Sequence, residues 1–235
     1  MYNYIMAGFL LIDKPKGITS HDVVDKIRRV TSEKRVGHAG TLDPNATGLL
    51  IIGVGREATK KLGFLSKNVS KVYEAHVVLG EARDTDDVEG KVVSSGLSLR
   101  PDRNAILKTL ESFKGEQMQT PPAFSAIKLK GKKAYELARK GKKVKLEPRK
   151  IKIFSINVKK YAYPDLLFNC KVSSGTYIRA LARDIGKELK TGAYLKDLRR
   201  LKIGDYDIKD AIKLEDVASS WSEQSERYVK HAPLA

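Results

Sequence analysis

Between Arg35 and Leu50 the chain reads Arg-Val-Gly-His-Ala-Gly-Thr-Leu-Asp-Pro-Asn-Ala-Thr-Gly-Leu-Leu. Three glycines, His38 and Asp43 precede an apolar run, and Pro44 restricts the backbone of the aspartate before it. Such a loop allows close backbone approach and presents one carboxylate. That carboxylate is not half of a glycosidase pair, because no second acid stands at a fixed spacing. Spacing alone equally suits a structural turn in which Asp43 caps a helix or closes an Asx-turn. The four histidines, His21, His38, His76 and His231, form no i,i+3 or i,i+4 pair, and no cysteine or carboxylate cluster joins them, so no metal site is expected. Cys170 shares a period-2 register with Leu166, Phe168 and Val172, which makes it a core thiol rather than a nucleophile. Gly53-Val54-Gly55-Arg56-Glu57-Ala58 fits a dinucleotide fingerprint, with Glu74 at the distance of a ribose-binding acid. Glu74 falls early in its strand, beside Tyr73, and no regular βαβ alternation follows. The fingerprint is therefore set aside, and no cofactor is expected.

Charge narrows the partner. The 235 residues carry a net charge of +17 with 41% hydrophobic residues, too apolar for a disordered chain. One cysteine excludes a disulfide scaffold, and no apolar run approaches the ~20 residues of a membrane span. The N-terminus lacks the basic region of a signal peptide. These features describe a cytoplasmic protein with a polyanionic partner and no membrane. Between Lys128 and Lys152, twelve lysines and arginines face only Glu136 and Glu147. Tyr135, Leu137 and Ala138 interleave with them, so the segment reads as a basic, partly ordered arm suited to a phosphate backbone.

The elements that must position these groups follow from periodicity. Gly8–Asp13 reads as a buried strand, followed by a Pro15-Lys16-Gly17 loop. Thr19 or Ser20 caps a helix with Val23, Val24, Ile27 and Val30 on one face, Asp22 and Asp25 early, and Arg28 and Arg29 late. Leu49–Gly55 and Val72–Leu79 are further strands. Asp102 opens a helix with Ile106, Leu107, Leu110 and Phe113 inward, stopped by Gly115. Ile151–Val158 alternates with one extra residue near Phe154-Ser155, a bulge. Leu166–Val172 is a half-buried strand, and Thr176–Lys190 a helix with Ile178, Leu181, Ala182, Ile185 and Leu189 inward. Strands outnumber helices without strict alternation, which predicts an α+β fold: a mixed, largely antiparallel sheet flanked by helices.

The Asp43 segment resembles the catalytic motif of the TruB family of tRNA pseudouridine synthases. Gly8–Asp22 resembles the family's opening Lys-Pro motif, and Lys71-Val72-Tyr73 its tyrosine strand. Asp84-Thr85-Asp86 with Gly90 resembles its acidic turn. Pro121–Lys128, with Gly131, Tyr135 and Ala138-Arg139, resembles its central insertion. Gly175–Arg179 resembles its arginine motif, and Leu198-Arg199-Arg200 a later one. These motifs stand in order over residues 8–217, the implied catalytic domain, with a basic RNA-gripping insertion at 117–150 and a tail at 218–235 too short for the family's C-terminal RNA-binding domain.

The resemblance implies the pseudouridine synthase catalytic fold and isomerisation of uridine 55 in the T loop of tRNA, with no cofactor or metal. Asp43, Arg179 and Tyr73 would be the catalytic set: Asp43 promoting release of the uracil, Arg179 pairing with it, and Tyr73 stacking on the base. His38 would fill the gap left by the flipped base, Tyr177 would line the uracil pocket, and Lys14 and Pro15 would buttress the loop. Lys128, Lys132, Lys133 and Lys142 would grip the RNA backbone. The insertion implies a stand-alone enzyme that needs no guide RNA, and a monomer is expected. The alternatives are a guide-dependent synthase acting on ribosomal RNA, or a tRNA-binding protein without turnover.

Overall fold

A computed structural model of the chain describes residues 8–67, 69–95, 99–125, 127–129, 131–141 and 144–218. Lys142 and Lys143 of the expected arm lie outside the described residues, as does the expected tail from residue 219 onward. The chain forms two compact units, Met1–Tyr73 with Leu198–Ala235, and Glu74–Asp197.

The first unit opens with β1 (Gly8–Lys14), α1 (Ser20–Thr31), β2 (Val36–Ala39), β3 (Thr47–Val54), α2 (Arg56–Lys67) and the start of β4 (Lys71–Leu79). β1 and β2 each pair antiparallel with β3. Leu10 and Ile12 of β1, with Leu50, Ile52 and Val54 of β3, pack on Val23, Val24 and Ile27 of α1. The alternate residues, Phe9, Leu11, Leu49 and Ile51, pack with Ala58, Leu62 and Leu65 of α2. Burial on both faces explains why both strands read as unbroken apolar runs. Thr19 is the N-cap of α1 in a capping box: its hydroxyl accepts from Asp22 N at 3.0 Å, and the Asp22 carboxylate accepts from Thr19 N at 2.7 Å. Ser20, the other candidate cap, bonds to the backbone of Leu42 instead.

Helix α2 is absent from the sequence expectation. It follows Gly55 directly, so the glycine-rich motif does form a strand, turn and helix. Gly53 serves packing there: a Cβ on it would lie 3.1 Å from the Ala58 carbonyl carbon and from the Leu62 side chain. Glu74, the supposed ribose ligand, makes an ion pair with Lys159 at 2.6 Å.

The second unit continues with β5 (Glu81–Arg83), β6 (Val92–Ser95), α3 (Arg103–Ser112), β7 (Gly115–Gln119), β8 (Lys128–Leu129), β9 (Lys132–Lys133), α4 (Ala134–Arg139), β10 (Arg149–Ala162), β11 (Asp165–Val172), α5 (Ile178–Glu188) and β12 (Ala193–Ile203). β12 carries the chain back to the first unit, where β13 (Tyr206–Asp207) and β14 (Ile212–Lys213) follow. Within the second unit the strand order is β4-β11-β10-β7; within the first it is β14-β1-β3-β12. The β1–β14 and β3–β12 pairs are parallel and the other registered pairs antiparallel, which is the mixed α+β sheet expected.

Asp102 caps α3, accepting from Ala105 N at 2.7 Å. Ile106 and Leu110 are buried, but Leu107 is exposed, contrary to expectation. One residue beyond Ile106 is a 100° turn of the helix, which carries Leu107 off the packed stripe. Helix α5 starts at Ile178 rather than Thr176, with Tyr177 as its N-cap. The bulge in β10 falls where the alternation slips: Ile153 pairs with Val172 and Ser155 with Lys171, so Phe154 is the extra residue.

Gly48 makes the sharpest demand of the first unit. Its φ is +100°, and a Cβ would lie 2.3 Å from the Arg200 carbonyl oxygen, its register partner in β12. Gly48→Ala is expected to cost more than ~3 kcal/mol, combining left-handed strain with backbone collision. Gly175→Ala, at φ +83° with nothing within 4 Å of the new Cβ, is expected to cost only about 1 kcal/mol. Urea midpoints of the two variants test this; equal losses would mean that β12 does not approach Gly48 this closely.

Candidate active site

Asp43 lies in the connection between β2 and β3, half-buried, with its backbone held from several directions. Asp43 O accepts from Ala46 N at 3.0 Å, closing a turn. On one side, Ser20 Oγ donates to Leu42 O at 3.0 Å and accepts from Leu42 N at 2.9 Å. On the other, Pro44 O accepts from Gly17 N at 2.9 Å and from Lys14 Nζ at 3.2 Å. The two ends of the loop are joined by Arg200, whose Nη2 donates to Gly40 O at 2.8 Å and whose Nε donates to Leu49 O at 2.7 Å. Arg200 is 1% exposed and Lys14 is 0% exposed.

Lys14 also donates to Ile18 O at 2.7 Å and Pro15 O at 2.9 Å, so its ammonium faces three carbonyl oxygens. Burial pushes its pKa down to about 8; Asp43 opposes that shift, and Arg200 adds to it. Pro15 is exposed on the same turn. His38, on β2, is half-buried with its Nδ1 inaccessible and unpartnered. Desolvation, then Arg200, then His21 hold its pKa below the usual histidine value, so its ring is neutral and flat. Tyr73 is buried at the start of β4. Lys71, two residues before it, is also buried, with its pKa lowered to about 8 by burial and by Arg200.

In the second unit, α5 presents Arg179 from its first turn, 7% exposed. Its Nη1 donates to Thr85 O and to Asp87 Oδ2, both at 3.3 Å, and its Nη2 to Phe124 O at 3.0 Å. One helical turn on, Arg183 donates to Asp86 Oδ2 at 2.9 Å, Asp184 Oδ1 at 2.9 Å and Thr120 O at 2.9 Å. Asp86 sits at φ +62°, and burial raises its pKa to about 6 against the pull of Arg183 and Arg179. Tyr177 is fixed through its backbone: its N donates to Gln119 Oε1 at 2.9 Å, and Gln119 Nε2 donates to its O at 3.1 Å.

The basic arm leaves the sheet between register partners, since Gln119 of β7 pairs with Arg149 of β10. It contains the β8–β9 hairpin, where Lys128 pairs with Lys133, and then α4. Lys128 and Lys132 are exposed, and Ala134 anchors the hairpin to α4 as a buried residue. Of the expected residues, Lys14, Pro15, His38, Asp43 and Tyr73 belong to the first unit, and Arg179, Tyr177, Lys128, Lys132 and Lys133 to the second. Sequence reasoning assigned no role to Ser20 beyond capping, to Arg200, to Asp87 or to Gln119. The acidic turn and the paired arginines marked the vicinity of Asp87 and Arg200, whereas Gln119 carries no local signal.

Residues 28–178 match the model of the TruB family pseudouridylate synthase N-terminal domain, and residues 179–232 match that of the tRNA pseudouridylate synthase B C-terminal domain. The chain is 46% identical to tRNA pseudouridine synthase B of Aquifex aeolicus over 95% of its own length and 77% of that protein's. It is 45% identical to the protein of the same name from Endomicrobium trichonymphae, covering 93% of this chain and 94% of that one. Among solved structures it resembles a chain of a Cbf5-Nop10-Gar1 complex, with a TM-score of 0.71 and 28% identity over 94% of this chain. It spans a little over half of that chain, 57%. The chain belongs to the TruB family of pseudouridylate synthases.

Proposed function

We propose that this protein isomerises uridine 55 in the T loop of tRNA to pseudouridine, with Asp43 as the group that starts the reaction. The observation that carries this reading is the Asp43 loop itself. A half-exposed carboxylate rides on a backbone that Lys14, Ser20 and Arg200 tie down at Pro44, Leu42, Gly40 and Leu49. Relatives 45–46% identical that bear the name tRNA pseudouridine synthase B support the choice of substrate.

The reaction breaks the N1–C1′ bond of uridine, forms a C5–C1′ bond, releases the C5 proton and leaves a proton on N1. It is an isomerisation, so no electrons are gained or lost. Asp43 promotes loss of the uracil and must stay ionised while shielded from water. Arg179 pairs with it, favours its charged form and fixes its plane. Tyr73 stacks on the uracil and assists the C5 proton transfer. The base leaves its stack, because the glycosidic bond is unreachable within folded RNA. His38 fills the gap, a role suited to a neutral flat ring, and Tyr177 lines the uracil pocket. Lys128, Lys132, Lys133 and Lys142 hold the T stem through phosphates and sugars. The chain acts as a cytoplasmic monomer without a guide RNA. The likeness to the chain in the Cbf5 complex favours a second reading, guide-dependent modification, which turnover on bare tRNA separates from the first.

The direct test is release of tritium from tRNA labelled at C5 of uridine, with mapping of the modified position. Asp43→Asn is expected to lower turnover by at least ~1,000-fold, about 4 kcal/mol of barrier, with tRNA affinity changed by no more than a few-fold. Turnover near wild type in that variant moves the chemistry to another group. Arg179→Lys keeps the charge but loses the planar fork, so turnover is expected to fall with little loss of affinity.

Lys14 gives a pH prediction. Its ammonium titrates near 8 in the folded chain and near 10.5 when unfolded, so between those values the unfolded chain binds more protons. The cost of burying the charge is full below pH 8, and this group's contribution to stability rises as pH climbs from 8 to 10.5. The neutral amine has fewer N–H donors than the three carbonyls require, so the loop loosens as stability rises. Turnover at saturating tRNA is expected to fall with a midpoint near pH 8, while the urea midpoint does not fall in parallel. A turnover profile flat to pH 9.5 removes Lys14 from this role.

A further inference from the structure

The β10 bulge is not used by the proposed chemistry, and its consequence is an exposed aromatic among cations. The extra residue, Phe154, is 46% exposed. Lys152 Nζ lies over its ring, 5.5 Å from the centroid, and Lys171 Nζ likewise at 5.8 Å, so a stacking base would displace these ammonium groups towards its own phosphates. β7 pairs with β10 only as far as Ile153, opposite Gly115, so Phe154 stands just beyond that covered edge. Arg149, Lys150 and Lys152, all exposed, lead along β10 to Phe154 directly from the basic arm. Glu116 is the acid paired to this row, bound to Lys150 at 2.8 Å.

We infer that Phe154, Lys152 and Lys171 form a stacking platform for an unpaired nucleotide of RNA, at the end of a cationic track that continues the arm. The inference rests on the chain being an RNA enzyme for its partner class, but its geometry is independent of Asp43. An aromatic face takes any base, and flanking ammonium groups take the phosphates on either side. Bulges commonly re-aim a side chain in this way. Protein interfaces are depleted of lysine at their centres, and one phenylalanine offers too little apolar area to hold a membrane.

The test measures binding of a short, labelled oligouridylate by fluorescence anisotropy, which requires neither a T loop nor turnover. Phe154→Ala is expected to weaken binding about tenfold, within the range typical of one base stacked on an aromatic ring. Phe154→Trp should preserve affinity. Lys152→Ala and Lys171→Ala should each flatten the slope of log affinity against log salt by about 0.7. Leu107→Ala, an exposed apolar truncation on α3, should change nothing. If Phe154→Ala binds as wild type does while the lysine variants weaken, the face is a plain electrostatic surface and the platform is wrong. Binding to phosphatidylserine vesicles in place of oligouridylate would overturn it as well. Tritium release is scored separately, so loss of the isomerase reading and loss of the platform give different results.

Discussion

Arg200 joins Gly40 and Leu49, the two ends of the loop that carries Asp43, through one part-buried and one buried hydrogen bond. Much of the first unit is arranged to accept that one guanidinium. β12 must run parallel to β3 with Arg200 level with Gly48, and only a residue without a Cβ fits there. Gly40 sits at φ +71°, which disfavours a side chain, and a Cβ there would lie a tight 3.3 Å from Arg200 Nη1. Lys14 and Lys71 share the same interior, and each has its ammonium pKa lowered by burial and by Arg200. Buried cations are tolerated where several carbonyl dipoles meet them. The result is a loop whose backbone geometry is set by the protein's own interior.

The second unit solves the matching problem for Arg179 with the opposite sign of charge. Arg179 and Arg183 stand four residues apart on one face of α5 and meet consecutive carboxylates, Asp87 and Asp86. The left-handed φ of Asp86 is the local distortion at this turn. Gln119 then fixes the residue before the helix by pairing with both backbone groups of Tyr177. Both arginines are thus held by carboxylates and by backbone carbonyls, at Thr85, Phe124 and Thr120, so each long side chain is confined. Confinement matters because a guanidinium already held in place loses little further entropy in the contacts it makes.

Periodicity made legible whatever packs on one side. β11 alternates as its residues predicted, and the slip near Phe154-Ser155 is a bulge because a one-residue offset changes which face is buried. α2 was illegible because only Ala58, Leu62 and Leu65 of its residues are buried, among lysines and a glycine. β12 was hidden by its charges: Lys196, Asp197, Arg199 and Lys202 make ion pairs along it and break the apolar pattern. The carboxylate loop was visible from its glycines, but nothing local distinguishes a turn from a catalytic loop. What holds the loop is Arg200, whose contacts lie more than 150 residues away in sequence. Ser20 misled by type: a serine beside a helix start suits an N-cap, yet Thr19 fills that role and frees Ser20 for Leu42.

The large positive charge divides into two populations by burial, with different physics. Lys14, Lys71 and Arg200 are inside, where they donate to backbone carbonyls. Their charges hold structure and are shielded from salt. Lys128, Lys132, Lys150, Lys152 and Lys171 are outside, where a phosphate can displace counterions from them. Removing an exposed lysine leaves the interior untouched, whereas removing a buried one leaves carbonyls without donors in a low-dielectric site. The exposed cations are thus free to meet a polyanion, whereas the buried ones set the geometry of the backbone that carries Asp43.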